Sequence, residues 1–593
     1  MDISNHIRFL ESELQAIANQ FIKKISTPAL SLYNENEVFA SLFQKVDDKG
    51  NVIVKMRNTK GLPRKGEYYS LSLLNTPMHD IRQWEDISWK ELCSKYQHIA
   101  SECVVIWLNK TDNPNFSLVG LRGVSVDFVQ VAKPNNLIFL GPNEPPTQYY
   151  KNLQSMLHKL RDDSEEAKLL DAGYNEIKDW APTLINQTIE PSNFIIQEWG
   201  LSNDIIIQGP PGTGKTYTMA EVAKKILESG NSVLFTALTN RALMELIGKD
   251  SLKSLLEQHH VYKTGLTTDE SKEQPNLLPI DNNTPLGQAG QLTLATFYVA
   301  SKWADEKSKS FDFIIMDEAS QAVLAMIVAV KRMSKKIIWI GDQCQLPPIV
   351  NSNIDNIIVN QQEIYLNGFK TICERSSIPS YMLPNSYRLS PRAVEYTGIF
   401  YQGNLSSMNK NAELPTGPYW IQVTMEHNNT APFNGINAVM KTIETIKEND
   451  KKSKIAILTK LRNTVKELQK AVISEYGDTE SIIVDTVERV QGLTRDYCIF
   501  FIPNVTVFLS LDKALFNVAT SRATKATYII SDSNLLTAAV NIHPEVKAYL
   551  LKLGKEAIIH NEGMHTLTGL NYNQIDEQYK KLNIEDIECE EII

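Results

Sequence analysis

The sequence predicts an α/β fold: two doubly wound parallel-sheet domains in tandem, preceded by a helix, a small β-barrel and a second helix. Three observations lead there. A glycine-rich loop, Gly209-Pro-Pro-Gly-Thr-Gly-Lys-Thr216, follows the apolar run Ile205–Gln208 and opens a helical stretch through Leu227. Apolar runs alternate with helical periodicity from about residue 169 to 346 and again from about 379 to 533, the pattern of parallel strands joined by crossover helices. Upstream, several short strands lie between two amphipathic stretches. A chain of 593 residues is long enough for several full cores.

Taken in order, residues 3–25 predict an amphipathic helix, with Ile3, Ile7, Leu10, Leu14, Ile17 and Phe21 in one stripe and Pro28 beyond its end. Val38–Val46 and Val52–Met56 flank the turn Asp47–Asn51 and read as a hairpin. Tyr68–Leu74, Cys103–Leu108, Phe116–Val119, Val124–Val131 and Leu137–Leu140 read as further strands, together a small barrel. Pro145-Pro-Thr147 then opens a second amphipathic helix carrying Tyr150, Leu153, Leu157 and Leu160 on one face. The two helices could form a stalk or be ordinary core helices, and pattern alone leaves both open. Arg161–Glu166 reads as a linker or helix continuation.

The first domain's strands are expected at Ile205–Gln208, Val233–Ala237, Leu292–Ala295, Phe313–Met316 and Ile337–Gly341, interrupted by a polar, turn-rich insertion over Asp250–Gln291. The second domain's are expected at Trp420–Val423, Ile455–Thr459, Ile482–Thr486, Cys498–Ile502 and Tyr528–Ser531. The expected boundaries are therefore 1–168, 169–378, 379–545 and a C-terminal helical, acidic tail over 546–593.

Composition narrows the function classes. No apolar run approaches membrane-spanning length, and the N-terminus lacks a signal-peptide pattern. Six cysteines are scattered without a CxxC pair, which argues against a zinc or iron–sulfur site and fits a reducing, intracellular, cytoplasmic setting. The formal charge of −9 means that any nucleic-acid surface must be a local groove.

The chemistry centres on the glycine-rich loop, a complete P-loop in strand–loop–helix context. Gly212 and Gly214 allow close backbone approach to a polyphosphate, and the loop's N–H groups and the helix N-terminus face the anion. Lys215 reaches the outer phosphates, and the Thr216 hydroxyl suits Mg²⁺. Gly209, Pro210, Pro211, Thr213 and Tyr217 complete the ATP-binding stretch. Phe311-Asp-Phe-Ile-Ile-Met-Asp317-Glu318 is an apolar strand ending in two carboxylates. Asp317 suits Mg²⁺, and Glu318 suits orienting and deprotonating water. At the end of the next strand, in Gly341-Asp-Gln-Cys-Gln345-Leu-Pro-Pro348, a neutral Gln345 can bond a γ-phosphate without repelling it.

These motifs resemble those of superfamily 1 helicases, in the 5′→3′ branch that contains the nonsense-mediated-decay RNA helicase and related DNA-replication helicases. The P-loop, Asp317-Glu-Ala-Ser-Gln321 and Gly341–Pro348 match its motifs I, II and III. Asn385-Ser-Tyr-Arg388-Leu-Ser-Pro391, Val484–Gly492 and Phe516–Ala523 are similar to its later motifs, in family order. The resemblance implies two RecA-like P-loop domains in tandem with an accessory barrel on a stalk. It implies arginine fingers at Arg388 and Arg522, a nucleotide-base stacker at Tyr387, and a link between ATP and the nucleic acid at Gly492 and Gln491. It also implies backbone contacts to nucleic acid at Thr239, Asn240, Thr296 and Thr486. In two places the sequence departs from the family. Where the family reads adenine with a glutamine upstream of the P-loop, this chain has Ser192 beside Asn193, with Gln187 the nearest candidate upstream. After Gly492 the usual Arg-Glu-Lys-Asp is Leu493-Thr-Arg-Asp496.

The expected function is an ATP- and Mg²⁺-dependent motor on single-stranded DNA or RNA, monomeric, without membrane contact, and open to a protein partner such as a nuclease. The alternatives are an ATP-gated clamp or remodelling scaffold without processive unwinding, and a ring-forming ATPase whose arginine finger comes from a neighbouring subunit.

Overall fold

The computed structural model describes residues 3–563 except 58–60, 75–83, 114, 172–174, 186–187, 281–285, 307–309, 353–366, 410–416, 427, 478–480, 491, 533 and 536–541. Gln187, Gln491 and the acidic stretch 585–591 lie outside the described residues.

Six antiparallel strands close a barrel in the order Phe39–Val46, Val52–Arg57, Phe116–Arg122, Gln97–Lys110, Tyr68–Leu74, Leu137–Gly141. The first hairpin forms because Asp47 organises its own turn. Its Oδ1 accepts the N–H groups of Lys49 at 2.9 Å and Asn51 at 2.8 Å, and Gly50 supplies a φ of +79°. Val52, Val54 and Met56 alternate into the interior. One expected strand is a helix. Val126–Val131 is α-helical, because Ser125 caps it by accepting the Phe128 N–H and Phe128 then plugs the barrel interior, fully buried. The β-branched composition of Val124–Val131 suggested a strand; the cap and the buried Phe128 outweigh that propensity.

Helices Ile3–Ile25 and Gln148–His158 pack against each other. Gln154 donates to Glu11 at 2.9 Å. The pair is rooted on helix Phe297–Glu306 through Asn152, which donates to Ser301 at 3.2 Å, and through Lys159 and Asp305. The deepest face of the first helix is His6, Phe9, Leu10, Glu13 and Ile17, so the expected stripe is rotated: Ile3, Ile7, Leu14 and Phe21 are only half-buried. Glu13 is the reason a carboxylate can sit on that face. It accepts the N–H groups of Asn351 at 3.0 Å and Ser352 at 2.8 Å, so the buried charge is bonded.

The first sheet has nine parallel strands, in the order Leu278–Pro279, Val261–Lys263, Leu292–Thr296, Val233–Ala237, Phe313–Met316, Lys336–Gly341, Asp204–Gln208, Ser380–Met382, Thr183–Leu184. The central runs are apolar because helices cover both faces. The polar insertion is not merely loops: it contributes Val261–Lys263 and Leu278–Pro279 as the sheet's outer strands. Ser380–Met382, expected to open the second domain, pairs with Ile206–Gln208 of the first sheet. Both runs are too short to show a period; pairing to an existing edge makes them strands. The second sheet is also parallel, in the order Tyr419–Val423, Ala523–Asp532, Arg495–Ile502, Ile455–Thr459, Ile482–Thr486. Among the described residues, no helix is long and apolar enough to cross a membrane.

Candidate nucleotide cleft and nucleic-acid face

The strands Asp204–Gln208 and Lys336–Gly341 are neighbours, with Gln208 opposite Gly341. The P-loop and Gly341-Asp342 therefore leave one edge of the sheet side by side, at the carboxyl ends where parallel sheets bind ligands. Gly212 and Gly214 have φ of +74° and +75°, backbone that only glycine adopts without cost. A Cβ on Gly209 would fall 2.2 Å from Cγ and Cδ of Lys215, so that glycine makes room for the lysine to lie across the loop. Lys215 Nζ donates to the carbonyls of Gly209 and Pro210. Burial pulls its pKa down, opposed by Asp342 and Asp317.

Asp317 is buried and accepts the Glu318 N–H at 2.8 Å. Glu318 sits in left-handed backbone, φ 55°, an uncommon conformation for a non-glycine residue. Burial, then the Asp317 charge, push the Glu318 carboxyl up to about 8. Its Oε2 is buried without a hydrogen-bond partner, an atom that in native sites asks for a ligand or water.

A segment leading to the second sheet clasps the loop from the other side. The Tyr387 N–H donates to the Gly212 carbonyl at 2.8 Å, and Ser386 Oγ donates to the Pro211 carbonyl at 2.9 Å. A Cβ on Gly212 would fall 2.4 Å from that of Arg388. Arg388 Nη1 donates to the Ser521 carbonyl at 3.1 Å. Arg522, 2% exposed, follows the helix Lys513–Thr520. Its Nε donates to the Val518 carbonyl at 2.9 Å, and its Nη2 is buried without a partner. Burial and Arg522 push the Arg388 guanidinium well below its ordinary value. A half-buried and a buried cation side by side suit an anion with several oxygens.

One cavity of about 350 Å³ collects these groups. It is lined by Pro211 through Tyr217, Asp317, Glu318, Asp342, Gln345, Tyr387, Arg388, Gly492 and Arg522. The Tyr387 ring lies beside Gly214, about 3.7 Å from where a Cβ would stand, and is 59% exposed. The fit to a nucleoside triphosphate with Mg²⁺ rests on the unpartnered Oε2 and Nη2 atoms and on the positive-φ glycines. Thr216 and Asp317 are the residues that would hold the metal.

The proposed nucleic-acid residues stand elsewhere, at the carboxyl ends of strands in the two sheets. Thr296 ends Leu292–Thr296, and Thr486 ends Ile482–Thr486. Thr239 follows Val233–Ala237 and caps the helix Asn240–Ile247, accepting the Ala242 N–H at 3.2 Å. Ser192 is buried and tied to Glu190 and Lys225, away from the cleft lining.

Sequence reasoning missed the network around Asp342. Asp342 accepts from Gln208, Gln345 and Tyr401, each at 2.7 Å. Asn517 donates to the Tyr401 oxygen at 2.9 Å and to the Cys344 carbonyl at 2.8 Å. The P-loop strand, the Gly341–Pro348 loop and the helix before Arg522 are thereby joined. Gln345, expected at the γ-phosphate, turns its amide to Asp342 while still lining the cavity. Asn517 lies inside a recognised motif and Gln208 immediately before one, whereas nothing local marks Tyr401.

The fold and this cleft define a P-loop protein with a candidate nucleotide site between two α/β domains. One family model described as an AAA domain matches residues 201–367, and a second of the same description matches 366–534. The DNA replication ATP-dependent helicase/nuclease DNA2 of Saccharomyces cerevisiae is 24% identical over 298 residues, covering 49% of this chain and 18% of its own. The Gallus gallus protein of the same name is 23% identical over 459 residues, covering 72% of this chain and 44% of its own. The chain thus spans less than half the length of these relatives. The solved structure of S. cerevisiae Dbp5 bound to RNA and ADP BeF3 superposes at a TM-score of 0.37 with 11% identity, over 73% of this chain and 97% of its own. Two models of the same description are thus matched in order along the chain, over residues 201–534.

Proposed function

We propose that the protein is a single-strand nucleic-acid translocase that separates strands, travelling 5′→3′ with ATP and Mg²⁺. The observation that carries this reading is the convergence of Lys215, Asp317 and Glu318 from the first domain with Arg388 and Arg522 from the second on one cavity. Bound ATP supplies the phosphoanhydride bond to be cleaved. Lys215 and the loop N–H groups hold its phosphates, Glu318 orients water, and the two arginines match charge that develops as the bond breaks. Because the arginines belong to the other domain, their engagement closes the cleft. Closure alters the spacing between Thr239 and Thr296 on one domain and Thr486 on the other, so the grip on a strand alternates.

The 5′→3′ direction follows from the family resemblance. DNA is the first strand to test, since the named relatives are DNA replication proteins. The deciding experiment compares ATP hydrolysis by the full chain with single-stranded DNA, single-stranded RNA and no strand. Strong stimulation by one of them supports the motor. Unstimulated hydrolysis, together with strand binding that depends only on nucleotide state, would favour the clamp.

A further inference from the structure

A second cavity lies away from the ATP cleft, between the barrel and the outer edge of the second sheet. It has a volume of about 710 Å³, within the range of small-ligand sites. The barrel contributes the loop Gly61–Lys65 and the turn around Thr111 and Asp112; the second domain contributes the helix Arg462–Tyr476 and strand Ile482–Thr486. Six cationic side chains line it among the described residues, against two carboxylates, Asp112 and Asp485. Lys454 and Lys470 are exposed on its rim. Lys466 is half-buried and donates to the Glu35 carbonyl.

Arg64 is the informative residue. It is 7% exposed, yet its Nη1 has no hydrogen-bond partner. Its nearest carboxylate, Asp485, is 3.8 Å away, too far for a hydrogen bond, while Nη2 donates to the Arg462 carbonyl at 3.2 Å. A buried guanidinium donor left open costs free energy that an anionic ligand would recover. A chain with a formal charge of −9 that concentrates cations in one cavity does so against its overall balance.

We propose that this cavity is a second anion site, taking phosphate groups through Arg64, Lys454, Lys466 and Lys470. The phosphates could belong to a free nucleotide or to the backbone of a strand beside the barrel. Asp485 precedes Thr486, so an anion that draws on Arg64 acts next to the proposed nucleic-acid contact.

The test uses the full chain and inorganic tripolyphosphate, titrated by calorimetry. Wild type should bind at two sites, and Lys215→Ala should lose the cleft site. The double reversal Lys454→Glu with Lys470→Glu should lose the other at least tenfold in affinity while keeping the cleft site, which also shows that the variant is folded. A ten-nucleotide single strand distinguishes the sources. If the strand backbone is the ligand, the reversal should weaken its binding and reduce the salt slope by about 0.7 for each phosphate no longer neutralised. If a free nucleotide is the ligand, strand binding should be unchanged while the second tripolyphosphate site disappears. A reversal variant that keeps both tripolyphosphate sites and the full strand affinity and slope would overturn the proposal.

Discussion

Arg388 donates to the carbonyl of Ser521 at 3.1 Å, and that single bond seats one guanidinium beside the next residue's, Arg522. Neither arginine has a carboxylate within salt-bridge distance among the described residues, so the pair presents its charge to the cleft. Arg388→Ala and Arg522→Ala should each lower turnover by about 10³–10⁵, with smaller effects on ATP affinity. Mixing either variant with Lys215→Ala should restore nothing when both fingers act within one chain. Recovered hydrolysis in the mixture would place the site between subunits, as in a ring.

Lys215 and Glu318 separate binding from chemistry. Lys215→Ala should abolish hydrolysis and weaken nucleotide binding together. Glu318→Gln should slow hydrolysis while nucleotide stays bound, because the amide keeps the shape but cannot take a proton. Measured by single-turnover hydrolysis beside equilibrium binding, a Glu318→Gln protein with the normal rate contradicts the assignment.

Gly212 serves two needs at once. Its φ of +74° disfavours any side chain, and a Cβ would fall 2.4 Å from Arg388 Cβ. Gly212→Ala should therefore push the Ser386–Arg388 segment off the P-loop. The expected readout is a loss of turnover comparable to Arg388→Ala, with the chain still folded by circular dichroism. Normal turnover would show that the clasp is dispensable.

Tyr401→Phe removes one bond to Asp342 and one from Asn517. A hydrogen bond to a buried carboxylate contributes about 1.5–3 kcal/mol, so the midpoint of chemical denaturation should fall accordingly. Because the network crosses from the P-loop strand to the helix before Arg522, stimulation by a strand should fall more than unstimulated hydrolysis. An unchanged midpoint and unchanged stimulation would remove the network from both roles.

The barrel touches the second domain beside Thr486. Arg64 lies 3.8 Å from Asp485, and Arg489 lies 3.8 Å from Glu67. Removing residues 34–142 and rejoining the stalk helices with a short linker should leave the ATP cleft intact. Hydrolysis should persist, with weaker stimulation by single strands and less unwinding for each ATP consumed. Full retention of affinity, stimulation and unwinding would assign the barrel another task, such as docking a partner.

The sequence by itself determined what depends on near neighbours in the chain. The P-loop was legible because its glycines, lysine and threonine all fall within eight consecutive residues. The central strands were legible because parallel strands buried on both faces must be apolar throughout, and the hairpin at Asp47–Asn51 because its turn is closed by its own side chain. Only the tertiary structure decided what depends on contacts distant in sequence. Val126–Val131 is a helix because Phe128 has a barrel interior to fill, and Ser380–Met382 is a strand of the first sheet because Ile206–Gln208 offers an unpaired edge. Tyr401 bridges to Asp342, 59 residues away in sequence. Arg64 reaches Arg462, 398 residues away. No period or motif encodes such pairs, because the partner that gives each residue its role arrives only when the domains pack.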